Sequence, residues 1–147
     1  MTEKDAIKLI DALKNCLQKP ITIPQLGSRQ TYEAVEKENE RQKFEIHMHR
    51  GSRDTQKISF HAMDKSTKTP LLRLDVCSDN NCHQNSDGSK IYGTHLHVFK
   101  DGLEIHDAIK FDINDDNLTN CCLVFFNKFN IINVERNNII EYGALLN

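Results

Sequence analysis

No run of this 147-residue chain is long or apolar enough to span a bilayer. The opening M-T-E-K-D-A-I-K-L-I is charged and amphipathic and lacks the apolar core of a signal peptide. A cytoplasmic protein without a membrane anchor is therefore expected. No C-x-x-C pair occurs: the five cysteines (Cys16, Cys77, Cys82, Cys121, Cys122) are odd in number, which in a reducing compartment means free thiols. Cys77 and Cys82 flank the loop before His83, but no second pair completes a zinc clip. There is no Gly-rich phosphate loop, no G-x-S-x-G and no H-E-x-x-H, so these sequence signatures give no support to P-loop, α/β-hydrolase or zincin chemistry. Aromatic residues make up only 7% and the net charge is −2, which argues against a general nucleic-acid coat.

Charge is instead distributed unevenly. Residues 41–73 hold 8 basic and 3 acidic side chains, whereas residues 101–141 hold 3 basic and 8 acidic. The basic half could meet a phosphate backbone or an acidic protein surface. The length fits a single α+β domain, residues 1–147, with a proper core.

Periodicity predicts the elements. Ile7, Ile10, Leu13 and Leu17 recur at helical spacing, so a helix is expected over Thr2–Leu17, with Thr2 as N-cap and Asp5 as its partner. Lys14 and Lys19 suit its C-terminal dipole, and Pro20 and Pro24 stop it. From Thr31 the period becomes two. Phe44, Ile46 and Met48 alternate with Glu45, His47 and His49; Ile58, Phe60 and Ala62 with Ser59, His61 and Met63. Leu72, Leu74 and Val76 alternate with Arg73, Asp75 and Cys77, and Leu96 and Val98 with His95 and His97. Lys100-Asp101-Gly102 signals a hairpin, and Leu103–Phe111 a further short strand. Asp115 or Asp116 can cap a second helix carrying Leu118, Cys122, Phe126 and Phe129, and the Ile-rich tail suits a docking strand. The expectation is an antiparallel meander of five or six strands with the N-terminal and C-terminal helices packed on one face. Parity then gathers Arg73, Asp75, His95 and His97 on the opposite, open face.

That gathering carries the functional reading. His95-Leu96-His97 sets two imidazoles on one side of a strand, roughly 7 Å apart. Histidine serves as general acid or base at neutral pH, arginine grips phosphate bidentately, and a carboxylate fixes a histidine tautomer. These are the parts for RNA cleavage by the substrate's own 2′-hydroxyl, with a cation on the crowded phosphate. Arg73, Asp75, His83, His95 and His97 are the catalytic candidates; Arg50 and Arg53, beside Gly51, are candidates for contacting the backbone of the substrate. His47-Met48-His49 repeats the H-x-H spacing, so four histidines could hold a transition metal, but no third motif supports this, and neither a metal nor any other cofactor is expected.

The run L-L-R-L-D…H-x-N-x-D-G…G-x-H-L-H (Leu71–Asp75, His83–Gly88, Gly93–His97) resembles a family of small uncharacterised proteins of Gram-positive bacteria and their mobile elements. It is more loosely similar to toxins of toxin–antitoxin loci. Cys82 stands where that family pattern has proline, and His47 and His49 depart from it. The resemblance implies a toxin-like, metal-independent endoribonuclease, with RNA as substrate and an antitoxin as partner. The alternative is a non-enzymatic mobile-element protein whose basic half occupies the acidic groove of a host defence complex, a reading that the net acidity and few aromatics favour.

Overall fold

In the computed structural model, which describes residues 1–100, 106–114 and 117–141, the Thr2 hydroxyl accepts the Asp5 N–H and the Asp5 carboxylate accepts the Thr2 N–H, each at 3.1 Å. This reciprocal cap starts α1 (Glu3–Asp11) and turns Ala6 and Ile10 into the core. The helix ends well short of Leu17. Lys14 already belongs to a strand, β1 (Lys14–Cys16), and its ammonium folds back onto the carbonyls of Ile10 (2.8 Å), Ala12 (2.7 Å) and Phe129 (2.8 Å). The orphan carbonyls at the end of α1 thus find a donor outside the helix. Leu13 and Leu17 are consequently exposed, and the helical reading past Asp11 is corrected.

The remaining strands are β2 (Ile21–Ile23), β3 (Arg29–Glu36), β4 (Asn39–Arg50), β5 (Ile58–Asp64), β6 (Pro70–Val76), β7 (Cys82–Gln84), β8 (Lys90–Tyr92), β9 (His95–Val98), β10 (Ala108–Lys110) and β11 (Ile139–Glu141). The main sheet has seven strands in the order β1-β3-β4-β5-β6-β9-β10, with every neighbour antiparallel. The expectation of five or six strands falls short because β1 hides within the helical periodicity. Two small pairs complete the described fold. β11 docks in parallel on β2, as the Ile-rich tail suggests, and β7 pairs with β8 in a hairpin between β6 and β9.

Alternation places Phe44, Ile46, Met48, Ile58, Phe60, Ala62, Leu72 and Leu74 on the buried face. α2 (Leu118–Lys128) packs there: Phe125 stacks on Phe60 at 5.5 Å, and the Cys122 sulfur lies 3.9 Å from that of Met48. Just past the helix, Phe129 meets Phe44 edge-on at 5.3 Å. Each buried phenylalanine contributes about 1.5–3 kcal/mol. Ala6 and Ile10 of α1 join the same cluster. The N-cap seen for α2 is Asn117, whose side chain accepts the Asn120 N–H; Asp115, Asp116, Asp101, Gly102 and Leu103 lie outside the described residues. Among the described residues no helix is long and apolar enough to cross a membrane.

Candidate active site

On the other face, register aligns side chains into two rungs running across the sheet. One is His49–Ser59–Asp75–His95, the other His47–His61–Arg73–His97. Alternation on β6 and β9 thereby brings Arg73, Asp75, His95 and His97 together as the sequence implies. The face is not uniformly open, however. His95 and His97 are only 8% and 4% exposed, so β9 is buried on both sides. Among the described residues the cover is the β7–β8 hairpin and not a helix; its His83 ring lies 5.0 Å from that of His95 and 4.9 Å from that of His97. Asn85 fixes the hairpin to β10 through both its amide groups, to the Ala108 carbonyl (2.9 Å) and N–H (2.8 Å). Against the expectation of an open sheet face, this side is closed over β9 and only partly open over β4–β6, where His49 and Arg73 are exposed and Asp75 and His61 are largely covered.

Asp75 joins the residues. Its carboxylate accepts from the Ser59 hydroxyl (2.6 Å), from Arg73 Nε (3.1 Å) and from His97 Nε2 (3.1 Å), and His95 Nε2 stands 3.4 Å away. Burial pushes the Asp75 carboxyl up, but the hydrogen bonds from His95, His97 and Ser59 and the Arg73 charge outweigh it and hold it well below the usual carboxylate range. Asp75 is thus a fixed negative charge beneath a group of imidazoles.

That charge and the backbone sort the ring nitrogens. The Gly93 carbonyl lies 2.8 Å from His95 Nδ1, so Nδ1 carries a proton and Nε2 is the nitrogen facing Asp75. Gly93 takes φ +85, a backbone conformation that L side chains rarely adopt, which favours glycine at the residue whose carbonyl meets the ring. His97 Nε2 donates to Asp75, which leaves its buried Nδ1 without a partner. The buried Nε2 of His83 is likewise unpartnered. Unpaired buried acceptors cost about 1–3 kcal/mol each, so the cluster holds unspent bonding capacity. The Asp75 hydrogen bond raises the pKa of His95 against the cost of its burial, whereas burial and the neighbouring His97 lower that of His83.

One ring nitrogen from each of His83, His95 and His97 lies within 4.8 Å of the other two, the residues placed to hold a metal ion among those described. The two H-x-H pairs do not meet: β5 and β6 separate β4 from β9, and His47 turns to Thr31 (3.1 Å) and Glu45 (3.5 Å). Cys77 and Cys82 are free thiols.

Beside Asp75, a cavity of about 360 Å³ is lined by Arg29, His47, His49, Ser59, His61 and Arg73, among others. Burial pulls the His61 imidazole down to about 4, so it lines this cavity uncharged at neutral pH. Arg53 borders a second cavity with Lys57 and Asn81. Arg50 does not reach outward: its guanidinium clasps the carbonyls of Pro24 (3.0 Å) and Thr55 (2.7 Å), a structural role that conflicts with the expected backbone contact. Two residues of the site escape the sequence reading. Ser59 could be found from its parity on β5, opposite Asp75; His106, whose ring is 5.1 Å from that of His83, carries no sequence signal.

The model of a family of unknown function, DUF6978, matches residues 1–131, which include every residue of this cluster. No curated protein and no solved structure matches the chain.

Proposed function

Since the chain belongs to this family of unknown function, we propose from its geometry that it is a toxin-like, metal-independent endoribonuclease. The observation that carries the proposal is Asp75 holding two buried histidines and Arg73 at one carboxylate, with a third histidine stacked above. Two stacked imidazoles whose environments drive their proton affinities apart make an acid–base pair. His83, kept neutral, takes the proton of the 2′-hydroxyl as it attacks the adjacent phosphorus. His95, whose proton affinity Asp75 raises, is the acid that gives a proton to the departing 5′-oxygen. The products are a 2′,3′-cyclic phosphate and a free 5′-hydroxyl. Arg73, whose side chain is 44% exposed, meets the phosphate from the cavity side. His97, tethered to Asp75, positions the pair. Arg53 remains a candidate for the backbone further along.

The test is His83→Ala. His83 sits half-buried on the hairpin, so the fold survives, and loss of general base help lowers RNA cleavage by ~10²–10⁴-fold. Full activity in this variant removes His83 from the mechanism. The alternative, occupation of an acidic groove by the basic half, loses ground because Lys65 and Lys68 already pair with Glu33 and Glu45. Growth arrest on expression, relieved by a neighbouring gene product, would favour the toxin reading over it.

A further inference from the structure

We infer that His83, His95 and His97 form a binding site for a first-row transition-metal ion, Zn²⁺ above the others. The inference stands on ring geometry and does not rest on cleavage activity. In a histidine metal site, one ring nitrogen binds the ion while the other donates to a carbonyl or carboxylate. Two of the three rings have that second partner here. His95 uses the Gly93 carbonyl and His97 uses Asp75. The nitrogens left over are His97 Nδ1 and His83 Nε2, which have no protein partner, whereas His95 Nε2 stands 3.4 Å from Asp75 and would exchange that proton-mediated contact for the ion.

The ligand type narrows the ion. Three neutral imidazoles suit zinc, nickel or copper and do not suit calcium or magnesium, which seek oxygen. Ligands about 2.0–2.1 Å from zinc in tetrahedral geometry stand ~3.4 Å apart. One ring nitrogen from each histidine lies within 4.8 Å of the other two, so such a set must close by at most ~1.4 Å, which side-chain torsions of the hairpin residue His83 can absorb. Three histidines leave a fourth position for water, the arrangement of an exchangeable rather than a sealed structural site. This departs from the expectation of a metal-free protein, which found no convincing fourth ligand and no third motif beside the two H-x-H pairs; the fold brings His83, not His47 and His49, to His95 and His97.

Zinc titration of the full-length, chelator-stripped protein against a chromophoric zinc indicator tests the site, with Co²⁺ as a spectroscopic stand-in. One equivalent of zinc should bind, and Co²⁺ should give the intense visible bands of a four-coordinate nitrogen site. His83→Gln and His97→Gln should each weaken binding by at least tenfold. His49→Gln, on β4 outside the cluster, should leave it unchanged. Because His83 is half-buried on a hairpin, H83Q keeps the test decisive even if H97Q fails to fold. Absence of one-equivalent binding at micromolar zinc, or binding by H83Q equal to that of wild type, would overturn the inference.

Discussion

Replacing Lys14 by methionine probes the packing that carries the sheet. The ammonium is fully buried and spends its three protons on the carbonyls of Ile10, Ala12 and Phe129, while lying 3.9 Å from the Phe129 ring centroid. Methionine keeps the unbranched stem and removes every donor. At least two of the three carbonyls are buried, and an orphaned buried acceptor costs about 1–3 kcal/mol, so the loss near neutrality comes to about 3 kcal/mol. With a urea slope of about 2 kcal/mol/M, the midpoint falls by roughly 1.5 M. The substitution also changes the pH profile. Burial lowers the Lys14 pKa to about 7 against the opposing charges of Asp11 and Glu36. Between that value and 10.5 the unfolded chain holds a proton that the folded chain has released, so wild-type stability rises with pH across this window, by up to about 1.36 kcal/mol per unit. The gap between wild type and K14M should widen from pH 7 to pH 9. A midpoint for K14M within 0.3 M of wild type, corresponding to about 0.6 kcal/mol, would refute this account of how α1 is fastened to β1 and α2.

Further predictions concern the cluster. Asp75→Asn keeps the side-chain shape but removes the charge that raises the His95 pKa and orients His97, so cleavage should fall by ~10²-fold or more while the circular dichroism spectrum is retained. Arg73→Lys should also impair cleavage, because lysine keeps the charge and loses the planar fork; unchanged kinetics would remove Arg73 from phosphate binding. Lys65→Ala and Lys68→Ala, at exposed ion pairs, should change stability by less than about 1 kcal/mol and leave cleavage untouched. One equivalent of Zn²⁺ should suppress cleavage in a rate assay, since the ion takes the lone pair that His83 needs as a base; stimulation would mean that the metal takes part in the reaction.

The strands of the middle sheet were legible because one face is buried and the other is polar, so alternation along β4, β5 and β6 fixes parity residue by residue. The same alternation put Arg73, Asp75, His95 and His97 on one face, and the Thr2–Asp5 pairing marked the start of α1. The end of that helix was not legible, because it depends on Lys14 reaching carbonyls both behind it and across the molecule on Phe129. Helical spacing continued through Leu13 and Leu17 although neither packs. Nor could sequence show that a hairpin folds over β9. Its strands have only three residues each, and it is fixed by Asn85 at Ala108, a partner 23 positions away. The burial of His95 and His97, and with it the cost of substituting them, follows from that cover. An alanine at His97 now removes a buried side chain and its hydrogen bond to Asp75, so its stability cost belongs in the range of about 1–3 kcal/mol, above that of a half-exposed strand histidine.

The central claim is cleavage by the substrate's own 2′-hydroxyl without a metal. Its most direct measurement is incubation of the purified protein, in excess chelator, with an RNA oligonucleotide and with the same sequence carrying 2′-deoxyribose throughout. The account predicts scission of the RNA alone, with 2′,3′-cyclic phosphate ends identified by mass spectrometry. Intact RNA, equal cutting of both strands, or cleavage that the chelator abolishes would contradict it.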